Sequence, residues 1–354
     1  MEERLSAAGG ELAATIRAGV ATVTLNRPQA LNALSYDMIR GLAGWLDAWE
    51  GDARVQTVVL RGAGEKAFCA GGDVRALHAS ITGKAGTDVH RDFFEVEYAL
   101  DYRIHTYPKA IVAIIDGIVM GGGMGLAQGA ALRLVGERTR MAMPETAIGM
   151  FPDVGGTYFL SRCPGELGTY LGLVGPTIHA ADAIYAGLAD AYLGPAAPLE
   201  PTLAALRPAI DHHFTHDRVS YILASLENEA APAWRDWAVR THEALLKRSP
   251  TMLAVTLEAL RRAATMPLEE CFRMELDLVR ATIEHGDIVE GIRAQILDKD
   301  NRPRWNPERI EQVTRLAVEA FFAPREPAER HPLAHLGGSR AHARVAARFE
   351  RLAH

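Results

Sequence analysis

Cysteine is scarce in this chain. Three are present, Cys69, Cys163 and Cys271, widely spaced, odd in number and without a CxxC pair. That excludes a disulfide framework and suits a reducing milieu, so a cytoplasmic location is the expectation. Long apolar runs are missing too. Nothing approaches 18 residues, so no membrane span is expected. The first residues, MEERLSAAGGEL, carry acids early and no apolar h-region, which does not read as a secretory signal. Excess positive charge is absent: 38 Lys and Arg stand against 44 Asp and Glu, a formal net charge of -6. Non-specific binding to nucleic acid is therefore not expected. No repeat of 20–50 residues occurs. What remains is ordinary globular composition, 48% hydrophobic and 23% charged over 354 residues. That length suits one large domain, or a core domain with additions.

The first half alternates strand and helix signals. GVATVTL (19–25) is short, β-branched and closed by NRPQ, which predicts a strand. Ser35 is placed to cap a helix over 36–50, with Met38, Leu42, Trp45, Leu46 and Trp49 at helical spacing. VQTVVLRG (55–62), AIVAIIDG (110–117) and ALRLVG (131–136) predict three more strands. The second of these is too continuously apolar for an exposed edge. Strands alternating with helices argue for an α/β architecture. From about residue 166 strand signals fade and helical ones dominate, most clearly at 249–263 and 269–286. KDNRPRWNPE (299–308) predicts a connector. Residues 324–338 read as a linker, and 339–353 as a last short helix with Val345, Phe349 and Leu352 on one side. The organisation expected is an α/β core at 10–200, a helical region at 201–323 and an appended tail at 324–354.

Chemistry concentrates in PETAIGMFPDVGG (144–156). Glu145 and Asp153 stand there among apolar residues, Gly and Pro. Acids held in apolar surroundings have raised pKa values and can move protons near neutral pH. MGGGMGLA (120–127) follows an apolar strand and opens a helix. Its glycines permit close backbone approach, and free N–H groups there suit a developing oxyanion. A tight turn with nothing bound explains the glycines equally well. No P-loop lysine follows, which disfavours a nucleotide phosphate cradle. FCAGGDV (68–74) is a second Gly-rich turn; alone it reads as an ordinary turn, and beside the first loop it would supply a second donor. Glu97 falls in an apolar stripe with Phe93, Leu100 and Ile104. A boundary residue whose tip reaches water is the plain reading, since a buried acid needs a partner. The run DHHFTHD (211–217) matches no metal spacing and reads as a solvated helix end. Arg27 is a candidate phosphate contact.

Together these pieces resemble the crotonase (enoyl-CoA hydratase/isomerase) superfamily over roughly residues 12–323. TLNRPQALNAL (24–34) is similar to its first CoA-binding segment. KAFCAGGDV (66–74) and GIVMGGGMGLA (117–127) are similar to its oxyanion-hole loops, and PETAIGMFPDVGGTYFL (144–160) to its catalytic segment. Within the superfamily the wording is closest to the 3-hydroxyisobutyryl-CoA hydrolase family, which EGIRAQILDKDNRPRW (290–305) also resembles. The resemblance implies an α/β fold, a ClpP-like spiral ββα core with a C-terminal helical region. It implies hydrolysis of a short branched 3-hydroxyacyl-CoA thioester in valine catabolism, with no cofactor, since coenzyme A is part of the substrate. It implies Glu145 and Asp153 as catalytic residues, and Gly72 and Gly122 as oxyanion donors. Glu97, Gly122, Glu145 and Asp153 become the acyl contacts, and Arg27, Ala30, Ala70, Gly71 and Asp73 the CoA contacts. No metal, nucleic-acid or membrane partner is implied; a homo-oligomer, trimer or hexamer, is. Where hydratases carry a glutamate this chain has Gly125, and the second acid moves to Asp153. Two alternatives stand beside this reading: an enoyl-CoA hydratase or isomerase on another acyl-CoA, and a catalytically silent CoA-binding protein.

Overall fold

The computed structural model describes residues 2–195 and 200–337; the helix expected at 339–353 lies outside them. Among the described residues ten strands form two sheets. The large sheet has the order β1 (Glu3–Ala7), β2 (Leu12–Arg17), β3 (Val20–Leu25), β4 (Thr57–Gly62), β6 (Ala110–Ile115), β8 (Leu132–Gly136), β10 (Ala191–Leu193). The small sheet is β5 (Ala67–Cys69), β7 (Ile118–Met120), β9 (Arg140–Ala142). The first three strands form an antiparallel meander, and from β3 onward every pairing is parallel. In β3, Ala21, Val23 and Leu25 face the core, a strict alternation. β2 joins β3 through Ala18 and Gly19, both at positive φ (50° and 84°). That is the two-residue hairpin turn whose twist matches the strands.

Each parallel step repeats one unit. A long strand of the large sheet is followed by a short strand of the small sheet and then by helix. β4 leads to β5, α2 (Val74–Ile81) and α3 (Val89–Thr106); β6 to β7 and α4 (Gly122–Gln128); β8 to β9 and later α5 (Gly156–Leu160). This is the expected spiral of ββα units. Gly117 makes one of the turns possible: it has φ +77°, and a Cβ there would run into the Lys66 carbonyl. The helix after β3, α1 (Tyr36–Glu50), begins where expected, with Ser35 accepting from the Met38 N–H. It buries Met38, Ile39, Leu42, Leu46 and Trp49.

The chain after β9 is mainly helical. Pro250–Ala263 and Leu268–His285 are within a residue of their expected bounds. β10 was not expected in this half; its three residues extend the sheet beside β8. Residues 331–337, expected as part of a linker, instead lie on the helix Leu268–His285. Leu333 and Leu336 are buried, and Arg273 donates to the carbonyls of Leu333, Ala334 and Leu336.

Candidate active site

Two backbone donors meet where the Gly-rich loops converge. The loop after β5 is pinned against Leu34: the Leu34 N–H donates to Gly71 O at 2.8 Å and the Asp73 N–H to Leu34 O at 2.9 Å. Gly71 (φ +102°) and Gly121 (φ +49°) turn the two loops toward each other. A Cβ placed on Gly122 would lie 3.4 Å from the Gly72 nitrogen, so the two amides are neighbours. Among the described residues no acceptor takes the N–H of Gly72 or Gly122. Two adjacent unspent donors can hold one oxygen.

Acids surround this pair. Glu145 opens a short helical turn, Glu145–Ile148, directly after Pro144. Its Oε1 is 3.1 Å from where a Gly121 Cβ would be. The Glu97 carboxyl, from α3, occupies the space a Gly122 side chain would need. Glu97 is 2% exposed, against the plain reading of a tip in water. Asp153 accepts from the Tyr98 hydroxyl at 2.6 Å. Glu97 Oε1 and Glu145 Oε2 are buried without a hydrogen-bond partner among the described residues.

Burial, with no cation to offset it, pushes these groups up. Glu145 is held well above its ordinary value by burial and then by the nearby Asp153 charge. Glu97 is raised in the same way. Asp153 rises only to about 6, because the Tyr98 hydroxyl bond opposes burial. Asp153 is thus the member of the set that ionises first.

Two acids were missed by reading the sequence. Asp101, one turn beyond Glu97 on α3, is fully buried with both oxygens unpartnered. It completes the stripe Phe93–Glu97–Asp101, a spacing of four that could have been extended from Glu97. Its Oδ2 lies 2.6 Å from where a Gly125 Cβ would stand. Glu275 accepts from the Gly155 and Thr157 N–H groups at 2.7 and 2.9 Å and from the Thr157 hydroxyl at 2.5 Å. Burial raises it to about 8. It clamps a turn in which Val154 has φ +55°, a strained conformation for a β-branched residue. That turn presents Asp153. Glu275 sits on a helix with other acids, and nothing local in the sequence marks it.

Gly72, Gly122, Glu97, Glu145 and Asp153 open on one cavity of about 340 Å³. Phe93, Phe94, Leu77, Ile148, Ile288 and Ile292 make much of its wall apolar. Ala70 and Gly71 also border it, whereas Arg27, Ala30 and Asp73 do not. The Arg27 guanidinium pairs with Glu11 at 2.9 Å and Asp73 at 3.1 Å, and donates to the Ala33 carbonyl at 2.8 Å. These bonds tie the 26–34 segment to the loop carrying Gly72 and occupy part of the guanidinium expected as a phosphate contact. The DHHFTHD run is not wholly solvated either. His213 is buried between the Ser225 hydroxyl (2.7 Å) and Glu229 (2.9 Å), so both ring nitrogens are used.

A ββα spiral that sets two free backbone donors over a largely apolar cavity lined by acids defines the class: a crotonase-fold enzyme of acyl thioesters. The chain belongs to the Enoyl-CoA hydratase/isomerase family, whose model matches residues 20–199 and 194–322. It is 40% identical over 340 residues to the "3-hydroxyisobutyryl-CoA hydrolase, mitochondrial" of Gallus gallus, covering 86% of this chain and 87% of that one. It is 38% identical to the "Small ribosomal subunit protein mS47" of Neurospora crassa, over 82% of this chain and 67% of that protein. Among solved structures it is similar to a carnitinyl-CoA dehydratase from Mycobacterium thermoresistibile. There the TM-score is 0.84 and the identity 41%, over 90% of this chain and 97% of that one. The cytoplasmic expectation is overturned by the hydrolases of Gallus gallus, Xenopus tropicalis and Rattus norvegicus, which are named mitochondrial. Free thiols report a redox state, and that state does not single out one compartment.

Proposed function

We propose that this chain hydrolyses 3-hydroxyisobutyryl-CoA to 3-hydroxyisobutyrate and CoA, a step of valine catabolism. The observation carrying the choice of hydrolysis over hydration is the surroundings of Gly125. A side chain there would begin 2.6 Å from Asp101 Oδ2 and 2.8 Å from the Val154 Cβ. The hydratase glutamate therefore has no room at this position. The acids on the cavity are Glu97, Glu145 and Asp153.

In this reading the thioester oxygen accepts from the Gly72 and Gly122 N–H groups, which favour the charge that develops on it. Burial raises both Glu145 and Asp153, and the mechanism uses one of the pair ionised and the other protonated. The ionised carboxylate takes a proton from the attacking water, whose oxygen bonds to the carbonyl carbon. The C–S bond then breaks, and the protonated carboxyl delivers its proton to the departing thiolate. In the variant route through an anhydride, Glu145 in its ionised form bonds to the carbonyl carbon, the C–S bond breaks and the thiolate takes the proton of Asp153. Water then opens the anhydride to free the acid and Glu145, with the same donors in place. In the same reading Glu97 and Asp153 bond the substrate 3-hydroxyl, which discriminates against acyl groups lacking it.

The test follows thiol release over a panel of acyl-CoAs with and without a 3-hydroxyl. Rapid release from 3-hydroxyisobutyryl-CoA, with crotonyl-CoA left unhydrated, supports the reading. Fast loss of the enoyl absorbance of crotonyl-CoA without thiol release would replace it with a hydratase.

A further inference from the structure

One polar side chain on the cavity has no part in the chemistry above. Ile288, Ile292, Gln295 and Ile296 form one wall, at spacings of four, three and one along the chain. Gln295 is the single uncharged polar side chain among the lining residues. Its amide makes no hydrogen bond to another described residue.

The backbone that carries Gln295 is unusual and well held. Arg293–Leu297 is a π-helical turn following the α-helix Ile288–Ile292, with the Asp298 N–H donating to Arg293 O at 2.8 Å. Such insertions re-aim side chains and are frequent at functional sites. The turn is fixed from both sides. Arg293 bonds Glu290, Asp298 and Asp300, and Arg75 donates to the Ile296 carbonyl at 2.6 Å. Gln295 therefore stands on a rigid wall with its amide unspent.

Exposure shows which end of the cavity it occupies. Ile288 and Ile292 are 2% and 0% exposed, and the catalytic acids are buried too. Gln295 and Ile296 are only half-buried. The wall thus runs from a closed end at the acids to a mouth at Gln295. If the acyl group occupies the closed end, the sulfur side of the thioester leaves past the mouth. Two methylenes beyond that sulfur, the pantetheine arm carries a secondary amide.

We infer that Gln295 is a binding residue for this sulfur-proximal amide, its side chain pairing with the amide N–H or C=O. The inference rests on the acyl-CoA reading above and extends it: Gln295 grips the part common to all acyl-CoAs, while the acids read the acyl group. A neutral amide suits that task, since it donates and accepts and adds no charge beside three acids.

The experiment compares Gln295→Leu with the unaltered protein on two 3-hydroxyisobutyryl thioesters. One is the N-acetylcysteamine thioester, which keeps the amide; the other is the ethanethiol thioester, which lacks it. A lost neutral hydrogen bond predicts KM raised about 3- to 10-fold on the first. Little change in kcat is expected, and little change of either constant on the amide-free thioester. Gln295→Asn, with a shorter reach, is expected between the two. A purely structural role would depress both substrates alike, and that result overturns the inference, as does an unchanged KM on the amide-bearing one. Binding of CoA itself, by calorimetry, separates this from the choice of reaction. Weaker binding by Gln295→Leu supports the contact even where no thioester is cleaved, and equal binding refutes it.

Discussion

Around Arg293, three carboxylates share one guanidinium; in the cavity wall and directly behind it, five carboxyl groups share none. Glu290, Asp298 and Asp300 all reach Arg293 at 2.6–2.8 Å. Its positive charge and hydrogen bonds hold Glu290 and Asp300 below the usual carboxylate range. Glu97, Asp101, Glu145, Asp153 and Glu275 are all buried, and no salt bridge among the described residues reaches any of them. Burial raises every one. The same residue types thus serve opposite ends. The first group fixes a wall and is spent in doing so. The second is kept from water and from cations, which leaves protons available near neutral pH but makes the site unfavourable for stability.

The largest effect is expected where the site has no substitute group. Gly122→Pro removes one of the two donors and puts ring atoms where the Glu97 carboxyl lies. Turnover is expected to fall by about 10²–10³ or more, the range for losing one such donor. Thiol release by a variant whose circular dichroism matches the parent checks this. Near-parental rates would show that the donor pair is not used.

Glu145→Gln comes next. It keeps shape and removes the group that exchanges protons, so hydrolysis is expected to fall at least ~100-fold. A folded variant with near-normal turnover would take Glu145 out of the mechanism. It would also place the cavity acids with those around Arg293, as structure rather than chemistry.

Asp153 sharpens the comparison through pH. With Asp153 titrating at about 6, kcat/KM is expected to drop on the acid side as pH falls through that value. Asp153→Asn should remove this limb. It should also slow 3-hydroxyacyl substrates more than the matching unsubstituted acyl-CoAs. Equal losses for both classes would keep Asp153 in the proton transfers and refute its part in reading the hydroxyl.

Legibility in the sequence followed length and locality. α1 and the long parallel strands announced themselves because several turns or pleats repeat one pattern. The strands of the small sheet have three residues each, too few to show a period. β2 reads LAATIR, and its small Ala residues hide an alternation that only the pairing with β3 reveals. At the site, Glu145, Asp153 and both donor loops lie in contiguous segments and could be read directly. The ion pairs of Arg27 could not be read, because its partners Glu11 and Asp73 lie 16 and 46 positions away in the chain. Glu275 was invisible for the converse reason: its partners are backbone N–H groups of a turn more than a hundred residues earlier.

The smallest effect on activity, and the most direct test of the contrast, is expected from Asp101→Asn. Asp101 does not border the cavity, so its loss should change turnover little. Its carboxyl is raised well above the ordinary value by burial first, then by Glu97, Asp153 and Glu275. The unfolded chain ionises it near pH ~4, while the folded chain holds its proton to a higher pH. Folding therefore takes up a proton above that pH. The stability of the folded state is greatest below the unfolded value and declines as pH rises toward the folded one, by about 1.4 kcal/mol per unit of pKa difference. Asparagine has nearly the same shape and no proton to take up. The variant is thus expected to gain in thermal midpoint over the parent at pH 8 and to lose that gain at pH 4–5. Thermal unfolding across that range checks it. A variant less stable than its parent by the same margin at every pH would mean that Asp101 is ionised and held by a partner, as the carboxylates around Arg293 are.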